Sequence, residues 1–405
     1  MEGLEDLMIQ HPKKDWLAKL TELDQDTALR SLLENDEFDA EVLNTCFWNA
    51  LSDLAPKCLD IIAKFAKRKN VTISVVTPYH RLISGINPGR RYQDNNLVEC
   101  TRVLIDNGFD VHEPGGWYPL YTLVLQAMRT KFKEERMAAV YESLSLLLAA
   151  GADPNFRYGS SDVFLRTQSA STALERCFGF FSPPSNFHDH CKYFAKYVEL
   201  FVNYGCDVSE KNNMGTSLLE TLFRTYSENF GYFCNVYEKE DVSSIAPYLY
   251  KTAGCLIYGG ADLNFRNQNK LLPLTQFTLD VADGIYMYFV GKSGTLSNKE
   301  LSKLNDIATA LLDSALSFLK FVNIREAQEI LKQSLEMIVL YKHDGKLTNF
   351  RTLFKYIFLK HFSSFFSLQT LCMVKVWRCA GKRFTEIGLP TKLVDDIRDM
   401  LHVTF

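Results

Sequence analysis

The run His188-Asp189-His190-Cys191 is the one place in this 405-residue chain where metal-ligating side chains crowd together. A structural zinc ion takes four ligands in a tetrahedron. Only three of these donors can lie close together, in a stretch that also carries Pro183 and Pro184, so the run reads as a solvated loop. His80, within Thr77-Pro78-Tyr79-His80, has the chemistry of a general base. No serine or cysteine nucleophile has an expected place beside it, and a histidine bonding back to an adjoining turn is the better reading. The basic runs KFAKRK (64–69) and RTKFKEER (129–136) have helical spacing and read as solvated helix faces. There is no GxGxxG after a strand, no phosphate-binding GxxxxGKS/T, no HExxH and no GxSxG. The expectation is a non-catalytic chain without metal or cofactor.

A different kind of chemistry, that of recognition, is written near the C-terminal end. In SLQTLCMVKVWRCAG (367–381), Leu368, Cys372 and Val376 recur every four residues, which stacks them on one helical face, and Ser367 stands where it can cap the helix. Such a stripe faces either the chain's own core or a second protein.

The elements that must position these residues are bounded by composition. Hydrophobic residues make up 47% of the chain and charged residues 23%, enough apolar surface for a sizeable core. The formal net charge of -3 supplies no global attraction to nucleic acid or to an anionic membrane. The N-terminal residues lack a positive leader followed by an apolar stretch, and no apolar run has membrane-spanning length, so the cytoplasm or the nucleus is the expected compartment. Ten cysteines are scattered from Cys46 to Cys379 without a CxxC pair. That pattern predicts reduced, mostly buried thiols, not a zinc ribbon or a secreted disulfide frame.

Self-similarity organises the middle of the chain. LIDNGFDVH (104–112), LLAAGADPN (147–155), FVNYGCDVS (201–209) and LIYGGADLN (256–264) each read as an apolar residue, three residues, a glycine, one residue, an aspartate, an apolar residue and a polar one. A helix should end at Gly108, Gly151, Gly205 and Gly260, because a left-handed residue after a helix is cheapest for glycine. Asp110, Asp153, Asp207 and Asp262 can then bond the turning backbone. New helices should open near Thr77, Pro119, Thr172, Thr216 and Pro273. From about residue 40 to about 285 the chain resembles the ankyrin-repeat family. The resemblance implies an all-α solenoid with long insertions, since the glycine intervals are 43, 54 and 55 residues against roughly 33 in that family. The insertions at 179–190 and 226–240 are expected to project from one edge and to add little stability.

The boundaries that follow are a helical cap or degenerate repeats over 1–70, repeats with insertions over 71–290, a helical linker over 291–360 and a terminal module over 361–405. The terminal module carries the stripe of Leu368, Cys372 and Val376 and, after it, IGLPTKLVDDIRDML (387–401). Following ankyrin repeats, it resembles a SOCS box, and the chain is similar to the ankyrin repeat and SOCS box family.

That resemblance implies a substrate-recognition subunit of a cullin-RING ubiquitin ligase. Ser367, Leu368, Leu371, Cys372 and Val376 would bind elongin C, which comes with elongin B. Ile387, Leu389, Pro390 and Leu393 would contact a cullin, usually cullin-5 with its RING subunit. The chain departs from the family pattern at Ile387, Gly388 and Asp396. Ankyrin arrays bind their targets through turn tips and inner helices, here Trp117, Tyr118, Arg157 and Arg266, and the target itself is an unnamed protein. A plain ankyrin scaffold without a ubiquitin role is the alternative.

Overall fold

The computed structural model describes residues 20–21, 24–35, 38–75, 77–84, 94–112, 118–129, 134–157, 172–179, 187–211, 215–236, 245–291, 297–322, 324–340 and 348–364. Among the described residues every regular element is helical, and the only bridge is an isolated antiparallel one between Lys211 and Ser217. The chain divides into two compact units, Met1–Cys177 and Phe178–Phe405.

The first unit contains α1 (Asp26–Asn35), α2 (Ala40–Ser52), α3 (Pro56–Arg68), α4 (Pro78–Ser84), α5 (Asp94–Asp106), α6 (Pro119–Arg129) and α7 (Glu134–Ala149), and α8 (Ala173–Gly179) runs across its end. Helices pair in chain order, α2 with α3, α4 with α5 and α6 with α7. The first helices α2, α4 and α6 stack in one row, and α1, α3, α5 and α7 in another. Amphipathic patterning drives this. Helix α3 buries Leu59, Ile62, Phe65 and Ala66 and leaves Lys64, Lys67 and Arg68 in water, so the basic run is the solvated face its spacing predicts.

The second unit repeats the plan with α9 (Phe187–Asn203), α10 (Leu218–Glu228), α11 (Phe230–Val236), α12 (Ala246–Tyr258), α13 (Pro273–Gly291), α14 (Asn298–Leu316), α15 (Ile324–Leu340) and α16 (Thr348–Ser364). Here α10, α13 and α15 form the first row, and α9, α12, α14 and α16 the second.

Each expected glycine ends its helix in left-handed backbone, with φ of +80° at Gly108, +96° at Gly151, +83° at Gly205 and +108° at Gly260. At all four, the glycine N–H and the next N–H turn back onto carbonyls of the last helical turn, as Gly260 does to Ile257 (3.0 Å) and Ala261 to Leu256 (2.9 Å). Orphan carbonyls are thereby satisfied. The aspartate two residues on then accepts from the backbone, Asp110 from His112, Asp153 from Asn155, Asp207 from Ser209 and Asp262 from Asn264, all within 2.8–2.9 Å. Restarts fall where expected: α4, α6 and α13 open on proline, Thr172 and Glu175 cap α8 reciprocally, and Ser217 caps α10. Helix pairs closed by this turn recur in both units, and each unit is an all-α stack of such pairs.

Three features differ from the sequence expectation. Asn70 (φ +54°) ends α3 with the same two backbone bonds, to Lys67 and from Val71 to Ala66, so a repeat turn exists there without a glycine. The helix pairing also continues through residues 291–360: α15 and α16 extend both rows. A short 3-10 helix, Ser317–Phe321, replaces the glycine turn before them, burying Phe318, Leu319 and Phe321.

The third difference is a correction. The insertion at 226–240 does not simply project, because its described part is core: Tyr226, Phe230 and Phe233 are at most 1% exposed, and α11 packs on α13 and α14. Aromatic side chains of that size gain more from burial than the added chain costs in closure entropy. Of the 179–190 insertion, 180–186 lie outside the described residues, and Phe187–His190 form the first turn of α9 instead of a loop.

Two substitutions test this arrangement. Among the described residues alanine at Gly260 meets no atom within 4 Å, so its expected cost of about 1–2 kcal/mol is backbone strain; urea denaturation that shows no loss would contradict the left-handed turn. Phe233→Ala is expected to cost about 3–5 kcal/mol, and an unchanged thermal midpoint would restore the insertion to a dispensable loop.

Candidate protein-interaction surface

The residues expected at turn tips do structural work. Trp117 lies outside the described residues. Tyr118 is 3% exposed, stacks on Phe156 with ring centroids 4.2 Å apart, and its hydroxyl accepts a hydrogen bond from the Asp153 N–H of the next turn. Burial pushes its phenol up to about 12. Arg157 reaches Glu175 on α8 (3.3 Å). Arg266 binds Glu326 (2.5 Å) and Glu329 (2.9 Å) on α15 and donates to the Lys270 carbonyl (3.0 Å), clamping one turn to the next first-row helix. All three side chains tie turns to their neighbours, Tyr118 buried and Arg157 and Arg266 still 29% and 33% exposed. Ser367, Leu368, Leu371, Cys372, Val376, Ile387, Leu389, Pro390 and Leu393 all lie outside the described residues.

A surface that the sequence reading passed over forms on the first row of the second unit. Glu220, Arg224 and Glu228 recur every four residues on α10, and Gln276, Asp280 and Met287 line the facing side of α13. With Asp283, Gly231 of α11, and Asn267 and Asn269 of the intervening turn, they bound an open groove of about 820 Å³. A relay of amides organises its floor. Asn267 Nδ2 donates to Glu220 Oε1 (3.2 Å) and lies 3.3 Å from Gln276 Oε1, and Gln276 Nε2 donates to Asp280 Oδ1 (2.7 Å). Ser227 donates to the other Asp280 oxygen (3.4 Å).

Negative charge dominates the groove. Among the described residues Arg224 is its one cation, 3.7 Å from Glu228. Burial pushes the Asp280 carboxyl up from its ordinary value, the bonds from Gln276 and Ser227 oppose that, and the charges of Glu228 and Asp283 add to it. The signal in the sequence is the helical spacing of polar and charged residues, Glu220, Arg224 and Glu228 on α10 and Gln276, Asp280 and Asp283 on α13. That spacing alone reads as a solvated face, and only the packing of α13 on α10 makes it a groove.

The other chemical candidates resolve differently. Cys191 is buried in α9, while the side chains of His188, Asp189 and His190 are outside the described set. Among the described residues no group of three His, Cys, Asp or Glu could hold a metal, and no helix is long and apolar enough to cross a membrane. The eight described cysteines are buried and none of them is in a disulfide, with burial raising the Cys46, Cys234 and Cys255 thiols to about 12. The His80 ring lies against Ser84, Nε2 to Oγ 3.3 Å, in its own helix, with burial and Arg81 lowering its affinity for a proton.

No family model and no curated protein sequence matches the chain. Among solved structures the chain is similar to the ankyrin repeat domain of Bcl-3, a member of the IkappaB protein family, at 15% identity over 56% of this chain and 91% of that one, with a TM-score of 0.30.

A carboxylate whose folded pKa is raised holds its proton more tightly in the native state, so its ionisation opposes folding as pH rises through the folded value. Asp280→Asn is therefore expected to raise the thermal midpoint at neutral pH, with the gain vanishing as pH falls below the ordinary carboxylate range. Thermal denaturation at pH 7 and pH 3.5 checks this; a destabilised variant at pH 7 would show that the hydrogen bonds to Asp280 outweigh its desolvation.

Proposed function

We propose that this chain is a non-catalytic substrate-recognition subunit of an elongin B/C–cullin-RING ubiquitin ligase. Its ankyrin repeats hold the target protein, and a C-terminal SOCS box holds elongin C. The observation that carries this reading is the four-residue spacing of Leu368, Cys372 and Val376, preceded by Ser367 and followed by Leu389-Pro390. It begins three residues after α16, the last described helix of the stack, ends at Ser364. An aliphatic stripe on a small terminal helical module needs a partner to cover it. The subunit would act by effective concentration, keeping a bound target near the ubiquitin-charged enzyme that the cullin and its RING subunit bring. Ile387, Gly388 and Asp396 depart from the family pattern in the cullin-contacting segment, which favours a second reading, an ankyrin scaffold that joins proteins without ubiquitin transfer.

Truncating a buried leucine costs about 2–5 kcal/mol, and each ~1.4 kcal/mol is tenfold in affinity. Leu368→Ala combined with Cys372→Ala is expected to weaken elongin B/C binding at least about a hundredfold while circular dichroism of the repeats stays unchanged. Failure of the wild type to capture purified elongins B and C removes the ligase reading and leaves the scaffold. Unfolding of the repeats in the double variant would assign the stripe to the core.

A further inference from the structure

We propose that the groove between α10 and α13 holds an extended, lysine- and arginine-rich segment of a partner protein. This deepens the reading of the repeats as a target-holding surface, and it is independent of elongin recruitment.

Among the described residues four carboxylates, Glu220, Glu228, Asp280 and Asp283, share the groove with a single guanidinium, Arg224, which lies 3.7 Å from Glu228. Among the described residues neither Asp280 nor Asp283 has a cationic partner, and Glu220 Oε2 is buried with no hydrogen-bond donor. An uncompensated carboxylate beside its own kind costs stability, and such arrangements persist where binding uses them. The geometry specifies the form of the cation. No three of these acids converge closely enough for a metal ion among the described residues, so the compensating charges must be separate and carried on long stems. Lysine and arginine meet that requirement, and Met287, 59% exposed at the rim, offers a pliable apolar contact for their methylene stems. Acids distributed along three turns of two helices match several side chains of one extended segment better than a small cation. Nucleic acid is excluded by the sign of the charge. The space is open where a ligand must enter: among the described residues, a side chain added at Gly231 would meet no atom within 4 Å.

The test is fluorescence anisotropy of the full chain with two labelled nonapeptides, one alternating arginine and lysine with alanine, the other alternating glutamate and aspartate with alanine. The basic peptide is expected to bind and the acidic one not to. Asp280→Asn with Asp283→Asn should weaken binding at least about tenfold, as loss of close charge pairs at an interface does. Gly231→Trp, which fills the groove without removing charge, should weaken it comparably. Glu99→Gln with Glu142→Gln, the same change in net charge on α5 and α7, should leave it within about twofold by the same reasoning on distant, screened charge. Should the Asp280 variant misfold by circular dichroism, the exposed Asp283→Asn and Gly231→Trp carry the test alone. The proposal is overturned if the wild type binds neither peptide, if the control pair weakens binding as much as the groove pair, or if groove variants bind as the wild type does. Elongin capture by the same preparation reports separately on the ligase reading, so either can fail while the other stands.

Discussion

The architecture depends on a left-handed turn after the second-row helices α3, α5, α7, α9 and α12. A right-handed helix cannot reverse within its own dihedral range, and the glycine, or at residue 70 an asparagine, supplies the one residue that can. Two backbone bonds then satisfy the last carbonyls and an aspartate side chain holds the outgoing strand of chain. Because this turn is complete in itself, the helix pair it closes is a unit of fixed geometry, and identical geometry is what lets first helices stack on first helices and second on second.

Polar clamps at the turns and apolar packing along the rows divide the remaining work. Tyr118 ties one turn to the next through Asp153, and Arg266 reaches across to Glu326 and Glu329. Where the glycine turn is missing, before α15, that arginine fork together with the buried Phe318 and Phe321 takes over the junction. At the far pair, Asp313 of α14 lies 2.7 Å from Lys360 and 2.9 Å from His361 of α16. Burial raises that carboxyl, but the hydrogen bonds and charges of Lys360 and His361 outweigh it and hold it below the ordinary range. Gly259 shows how close the turns come: a methyl there would stand 2.8 Å from Val208 of the neighbouring turn.

Function in such a stack is a matter of surface. The eight described thiols are buried, and the His80 ring lies against Ser84 of its own helix. The acidic groove is the exception. It concentrates like charges where the fold gains nothing from them, and it does so on the row of helices that the turns present, so stability and recognition pull in opposite directions at Asp280.

Local chemistry made much of this legible from the residues alone. The four glycine turns, the aspartates that brace them and the proline, threonine and serine restarts each depend on backbone dihedrals and bonds within a few residues, so type and spacing determined them. Asn70 escaped because asparagine tolerates the same dihedral without announcing it. The last pair escaped because a 3-10 junction carries no glycine. Whether Phe233 projects or is buried, and whether Tyr118 and Arg266 face a target or the next turn, depends on which surfaces meet across tens of residues of insertion. The same holds for Glu220 and Asp280: spacing put each on a helix face, and only α13 lying against α10 decided that the two faces enclose a groove, because burial and charge coupling are properties of the packed pair and of neither helix alone.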